Sequence, residues 1–453
     1  MNVLQEQTIP LYGKIVDKYN ELTANGAPKL ARQSAFHKFQ LFGFPTIKNE
    51  DWKYTNITRF LKDEYALEAP RLAPPASLLA KATIPDLEAY RIVLVNGHWN
   101  GEVIGGPLPQ GIDIRRIAEA RQEAESHSTA DWGNQHFANL NTALFTDGLF
   151  IGVEQNKVID KPLHIVHLYT ADHNLLVQPR HLILLKANAE ASIIESTHSA
   201  FGEAKGWVNG LTEIFLNADA KLDHVNLQTA AEGTRLVQQT TIHQKKQSLY
   251  NNYTFTLPGA DLVRNDLQAR LEEDHTETHF YGLYLTAGDQ LVDNHTLMDH
   301  QKPHCYSNEL YKGVLLERST GVFNGKVYVH RDAQKTNAFQ QNNNLVIGKK
   351  ATIDSKPELE IFADDVKCSH GSTVGQFSED ALFYLRARGI GEATAKALLI
   401  NAFAFDVTDK IKHAPVAAHI NQQISHHIPV NHAGRSEERR VGKECRSRWS
   451  PYH

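Results

Sequence analysis

The sequence predicts a mainly β protein, a β-helix core flanked by N-terminal and C-terminal helical regions. Three observations predict it. Between residues 151 and 377, short apolar alternations, in which successive side chains take opposite faces of a strand, are broken by small and acidic turn residues. They run as NAEASIIES from Asn188, NADAKLDHV from Asn217, GADLVRNDL from Gly259, AGDQLVDNH from Ala287 and STGVFNGKV from Ser319. The intervals are uneven but average about 30 residues, as in a solenoid whose turns cannot bury their apolar face alone and must stack. Third, almost no helical stretch separates the units, so a β-helix fits better than a leucine-rich or ankyrin array. A large β-sandwich also gives short strands with frequent turns, and on these observations it stays open.

Region by region, residues 1–150 form an α-rich N-terminal part. Helical patterns fill it to about residue 65, with the turn formers Asn25, Gly26 and Pro28 separating two candidate helices. The Pro-rich text from 66 to 90, with Pro70, Pro74, Pro75 and Pro85, reads as a linker; RIVLVNGHW over 91–99 reads as a strand, and 113–145 as mostly helical. The β-helix core spans 151–377. After Gln376 the period returns to 3.6: Ser378 can cap a helix carrying Glu379 and Asp380 in its first turn. Gly389 and Gly391 interrupt it, and Ala395, Leu398, Leu399, Ala402 and Phe403 then make one apolar stripe. Residues 378–434 thus read as a helical hairpin region. The last nineteen residues, 435–453, hold six basic and three acidic residues, one cysteine and no hydrophobic periodicity, and read as a non-native tail outside the fold.

Composition narrows the function. With 47 basic against 52 acidic residues and a net charge of -5, nothing electrostatic calls for nucleic acid or an anionic membrane. Three cysteines make no disulfide framework, and the first residues lack the basic and apolar segments of a signal peptide, so a cytoplasmic setting is expected.

The chemistry concentrates in DDVKCSHGST, residues 364–373. On a strand, Val366, Cys368 and His370 share one face and Lys367 and Ser369 the other. A thiolate and an imidazole together are half of a metal site, since zinc and iron-sulfur sites take about four protein ligands; a second chain would complete it. The pair also reads as a buried small hydrophobe beside a hydrogen-bonded core or turn histidine. Two histidine clusters stand apart. In HTETH, His275, Glu277 and His279 would share a strand face, and His295, His300, His304 and Cys305 lie close in sequence. Hydrogen-bonded ladders between stacked turns are the expected role there. No nucleotide site is expected: GVFNGKVY from Gly321 has three residues rather than four between its glycines and Val327 in place of Ser or Thr. GIGEAT lacks the third glycine of a dinucleotide fingerprint. No G-x-S-x-G elbow is present, and Cys368 has no evident third member to orient a base.

The run EIFADDVKCSHGSTVGQ with SEDALFYLRARGIGEATAKALLINAF (360–403) resembles the SufB/SufD family, scaffold subunits of the SUF iron-sulfur assembly machinery. So do GFPTIKNEDWKYTNI (43–57) and DNHTLMDHQKPHCYSNELYKGVL (293–315). Where the SufB type carries V-E-H-E-A-T, this chain has V-K-C-S-H-G-S-T, which is similar to the SufD type. The resemblance implies a right-handed parallel β-helix and a non-catalytic scaffold. It further implies a SufB-like partner bound through the β-helix, and a SufC-like ATPase docked on the C-terminal helices that carry Ala395, Leu398, Leu399, Ala402 and Phe403. His370, with Cys368 nearby, would lie at the SufB-facing end and help hold a transient iron-sulfur cluster or its iron. The alternative from another class is a β-helix enzyme acting on polysaccharide, which needs an acid/base pair in an open groove.

Overall fold

The computed structural model describes residues 9–24, 30–127 and 133–428. The tail at 435–453, residues 429–434, and the turn formers Asn25, Gly26 and Pro28 lie outside the described residues. Two ten-stranded sheets dominate. From the strand Glu190–Ala200 onward, successive strands are laid alternately into one sheet and the other, each parallel to the one before it in its own sheet. This is a parallel β-helix, so the sandwich reading falls.

One corner repeats in every turn. Asn156, Asn188, Asp219, Gln247, His275, His304 and Lys335 all have φ between 57° and 62°. Along this ladder each N–H donates to the carbonyl just before the next corner residue, as in Asn188 to Ala218, Asp219 to Lys246 and His304 to Gln334. Left-handed backbone favours short polar residues, and the stacking hydrogen bonds hold the less suited His and Lys there. A second corner runs through Gly259, Gly288 and Glu317, also at positive φ. The uneven intervals in the sequence now have a cause: the units at 188 and 217 mark the first corner and those at 259, 287 and 319 the second, so the long step between 217 and 259 changes corner.

The inward rows are in register from turn to turn. One row stacks Ile193, His224, Asn252, Phe280, Glu309, Gln340 and His370; the next stacks Glu195, Asn226, Thr254, Gly282, Tyr311, Asn342 and Ser372. Aromatic rings fit because glycine lies beside them. A Cβ on Gly282 would come within 2.2 Å of the Tyr311 ring, and one on Gly313 within 2.5 Å of Tyr284.

The N-terminal part closes one end of the solenoid. The strand Tyr90–Val95 turns through Asn96-Gly97, at φ 51° and 81°, into the antiparallel strand His98–Ile104; both positive φ values suit a tight hairpin, so the single strand expected over 91–99 is a hairpin. Strand Ile112–Arg116 finishes the other sheet, also antiparallel. It stands at the start of a stretch expected to be mostly helical. The Pro-rich linker holds a short helix, Ala76–Lys81, begun after Pro75. Helices Pro10–Ala24, Leu30–Phe42 and His136–Leu144 pack through Trp52, Phe137 and Trp207 onto the outer face of one sheet, and Arg32 secures them by donating to the carbonyls of Ala143 and Phe145. No helix among the described residues is long and apolar enough to cross a membrane.

Candidate functional site at the open end of the β-helix

Among the described residues nothing caps the other end. Strands Thr352–Ile361 and Lys367–Gly375 are the last of their sheets. Lys367 N–H donates to the Thr336 carbonyl, inside the sheet, so the alternating backbone turns the N–H groups of Cys368, His370, Ser372 and Val374 to the free edge. On the companion strand Thr352 and Phe362 donate inward, to Ser319 and Val329. Ile353, Ser355, Leu359 and Ile361 therefore face out, with Pro357 contributing no donor among them. Exposed edges of this kind are templates for a strand of another chain.

Cys368 and His370 occupy the inward row of the terminal turn. Cys368 lies beside Ala338 and packs against the core, and His370 lies beside buried Gln340. Among the described residues no further turn lies above them, and Cys368 is half-buried and His370 exposed. Burial pushes the Cys368 thiol up from its ordinary value, and a backbone hydrogen bond at Ala338 offsets part of this, so the group is a thiol at neutral pH.

Beneath this pair is a polar interior that sequence reasoning missed. Gln340 Nε2 donates to Glu309 Oε2 at 2.7 Å, and burial pushes the Glu309 carboxyl up to about 7. Ser372 pairs with Ser355 at 2.9 Å, Ser355 donates to Asn342 at 2.8 Å, and Asn344 donates to Asn342 at 2.7 Å. The only sequence signal for Glu309 is its place one turn before Gln340 and two before His370, which is legible once the register is known.

The two histidine clusters disperse. His275 and His304 are corner residues with rings stacked at 4.9 Å, so His275 does not share a strand face with Glu277 and His279. Those two pair with each other at 2.7 Å. His295 meets Asp293 and Arg264 on the outer face, His300 points inward to Ser307, and Cys305 is buried against Thr276.

Three helices, Glu379–Ala387, Glu392–Thr408 and Ala414–His427, follow the terminal strand. Ser378 caps the first, accepting from Ala381 N–H, and Gly389 turns at φ 83°. The expected stripe is split. Ala395 is buried, Leu399 and Phe403 are half-buried, Ala402 is exposed and Leu398 is 47% exposed. The row that packs on the solenoid is Ala397, Ile400, Ala404 and Val407, against Val225, Phe255 and Leu283 among others. Leu398, Ala402 and Phe405, spaced i, i+4, i+7, line an outer face, and Phe383 and Tyr384 on the preceding helix are also exposed.

Residues 167–403 match the family model described as SUF system FeS cluster assembly, SufBD core domain, and residues 3–165 match the SufBD protein N-terminal region. The chain is 33% identical over 409 residues to the iron-sulfur cluster assembly SufBD family protein slr0076 of Synechocystis, covering 87% of this chain and 90% of the relative. It is 28% identical to the iron-sulfur cluster assembly protein SufD of Escherichia coli over 93% of this chain and 98% of that one. Against the chloroplastic protein ABCI7 of Arabidopsis thaliana it is 27% identical, over 81% and 79%.

Proposed function

The chain belongs to the SufBD family of iron-sulfur cluster assembly proteins, and from that premise we propose that it is a non-catalytic, SufD-type scaffold subunit. It pairs with a SufB-like subunit through the open end of its β-helix and carries a SufC-like ATPase on its C-terminal helices. His370 and Cys368 face a nascent cluster shared with the SufB-like partner. The observation that carries this reading is the uncapped terminal turn, where a free strand edge and a thiol–imidazole pair coincide.

A soft thiolate suits iron-sulfur chemistry, and an imidazole is a weaker ligand that favours release. Two donors leave the coordination of a cluster incomplete, so the partner supplies the rest. Glu309 and Gln340 support the pair from below. The exposed row Leu398, Ala402 and Phe405, with Phe383 and Tyr384, offers the ATPase an apolar contact that the solenoid does not use. The setting is a reducing one, the cytoplasm or its organellar counterpart.

Co-expression with SufB-like and SufC-like partners, followed by anaerobic spectroscopy of the purified complex, tests the proposal. A complex that holds a cluster with wild-type protein and loses it with His370→Ala, at unchanged subunit stoichiometry, is expected. A cluster of undiminished intensity in the His370→Ala, Cys368→Ser double variant would remove this end from the chemistry.

A further inference from the structure

A second constellation lies inside the solenoid near its closed end. His167 Nε2 donates to Glu195 Oε2 at 2.7 Å and His224 Nε2 to Glu195 Oε1 at 2.8 Å. His224 Nδ1 accepts from the Tyr250 hydroxyl at 2.9 Å, and that hydroxyl in turn accepts from Asn252. The ring of His181 is centred 5.2 Å from that of His167. All four groups are buried, and His167 Nδ1 has no partner.

The charge balance is unusual for this molecule. Buried Glu213 meets the Arg180 guanidinium at 2.5 Å, and buried Asp293 meets that of Arg264 at 2.6 Å. Among the described residues no such cation meets buried Glu309, and burial raises its carboxyl to about 7. Glu195 meets neither guanidinium nor ammonium among the described residues; its partners are the imidazoles of His167 and His224.

We propose that a divalent transition-metal ion, of the zinc or ferrous type, is bound here by His167, His181 and Glu195. One ligand atom from each lies within 4.8 Å of the others, and two imidazoles with one carboxylate are a set such ions favour. The three come from three strands, Leu163–Thr170, Arg180–Leu185 and Glu190–Ala200, so the ion would cross-link the first turns. His224 and Tyr250 act as the outer shell that orients the carboxylate. Loading displaces the proton His167 shares with Glu195, and it weakens the bond from Leu149 N–H to His181 Nδ1, now 3.1 Å. This site is separate from the open end and stands or falls independently of the function proposed there.

The test uses full-length Cys368→Ser, His370→Ala protein, which lacks the open-end donors, stripped with chelator and titrated with Co²⁺ and then Zn²⁺. One equivalent of Co²⁺ is expected, visible in its d–d absorption, displaced by Zn²⁺ and accompanied by faster hydrogen exchange at Leu149. Adding Glu195→Gln or His181→Asn, each checked for fold by circular dichroism, should weaken binding at least about 10-fold. Two results would overturn the proposal: no stoichiometric binding in the parent, or equal binding in whichever of the two variants folds.

Discussion

Lys312 offers a way to loosen the C-terminal helices without disturbing the packing inside the solenoid. It lies on the strand Tyr306–Leu315, facing out, and its side chain is buried. The ammonium donates to the Phe403 carbonyl at 3.0 Å, lies 4.4 Å from the centre of the Phe403 ring, and reaches the Asp406 carboxylate. A hydrogen bond from a charged donor is worth about 1.5–3 kcal/mol, and a partly desolvated cation–π contact about 1 kcal/mol. The Asp406 side chain is 62% exposed, so its ion pair adds little. Lys312→Met keeps the aliphatic packing and removes the charge, and relieves the cost of burying the ammonium. The net expected loss is about 2 kcal/mol. That corresponds to a factor of about 30 in the local opening equilibrium of the helix Glu392–Thr408. Native-state hydrogen exchange resolved along the chain measures it. Protection should fall in 392–408 while the strands up to Leu315 keep theirs, and affinity for the ATPase should fall with it. Unchanged exchange in that helix, or equal loss throughout the β-helix, would refute the idea that Lys312 clamps one to the other.

Other consequences are as direct. Leu398→Glu and Phe405→Glu, on the outer face, should weaken ATPase binding by at least tenfold in titration while the melting temperature moves by no more than a degree or two, because these side chains are already in water; unchanged affinity would move the docking surface elsewhere. His370→Ala should lower cluster-dependent enzyme activity in cells while partners still co-purify, and Cys368→Ser should match it if the thiol is a ligand and be milder if it only supports. Deleting residues 435–453 should leave solubility and partner binding as they are in gel filtration. Stability should also depend on pH. Burial, helped by Arg91, lowers His164 to about 3, and burial, helped by His419, lowers His198 to about 4. Unfolding restores values near 6.5, so the unfolded chain binds more protons. The stability these neutral imidazoles contribute is complete above about pH 6.5 and declines toward pH 4, by about 1.4 kcal/mol per pH unit for each once the unfolded form is protonated. Urea titrations between pH 7 and 5 should show it, and His164→Asn with His198→Gln should flatten the slope.

The solenoid was legible because its period is carried by turn residues, and a turn has few acceptable residues. The placement of Cys368 and His370 on one face of the strand was legible too, since alternation needs no tertiary knowledge once a strand is recognised. Glu309, Glu195 and His224 were not. Each is separated from its partners by about one full turn, a spacing that means nothing until the register of stacking is fixed. The stripe on the helix Glu392–Thr408 failed for a different reason: apolar residues surround that helix, with Ala397, Ile400, Ala404 and Val407 on one side and Leu398, Ala402 and Phe405 on another. Periodicity cannot choose a buried face when two faces qualify. The third helix, Ala414–His427, went unseparated within the hairpin, although Pro415 near its start was an available signal.

The asymmetry of the two ends explains why the site lies where it does. At the first end, antiparallel strands His98–Ile104 and Ile112–Arg116 terminate both sheets, and the reversal of direction stops further parallel stacking. At the other, the last turn leaves Cys368, Ile353, Leu359 and Val366 only partly covered while they pack on the core, with Phe362 and Val374 more than half exposed. A solenoid stopped there in water leaves apolar surface and a row of backbone donors unsatisfied, a state that folded proteins blunt unless another chain covers it. The helices that follow do not do so. They pack instead on the outer face at Val225, Phe255, Leu283 and Val314, away from the terminal edge. The described C-terminal helices therefore occupy a lateral surface and leave uncovered the terminal edge proposed above to receive the partner, and on that proposal Cys368 and His370 act only when the partner is in place.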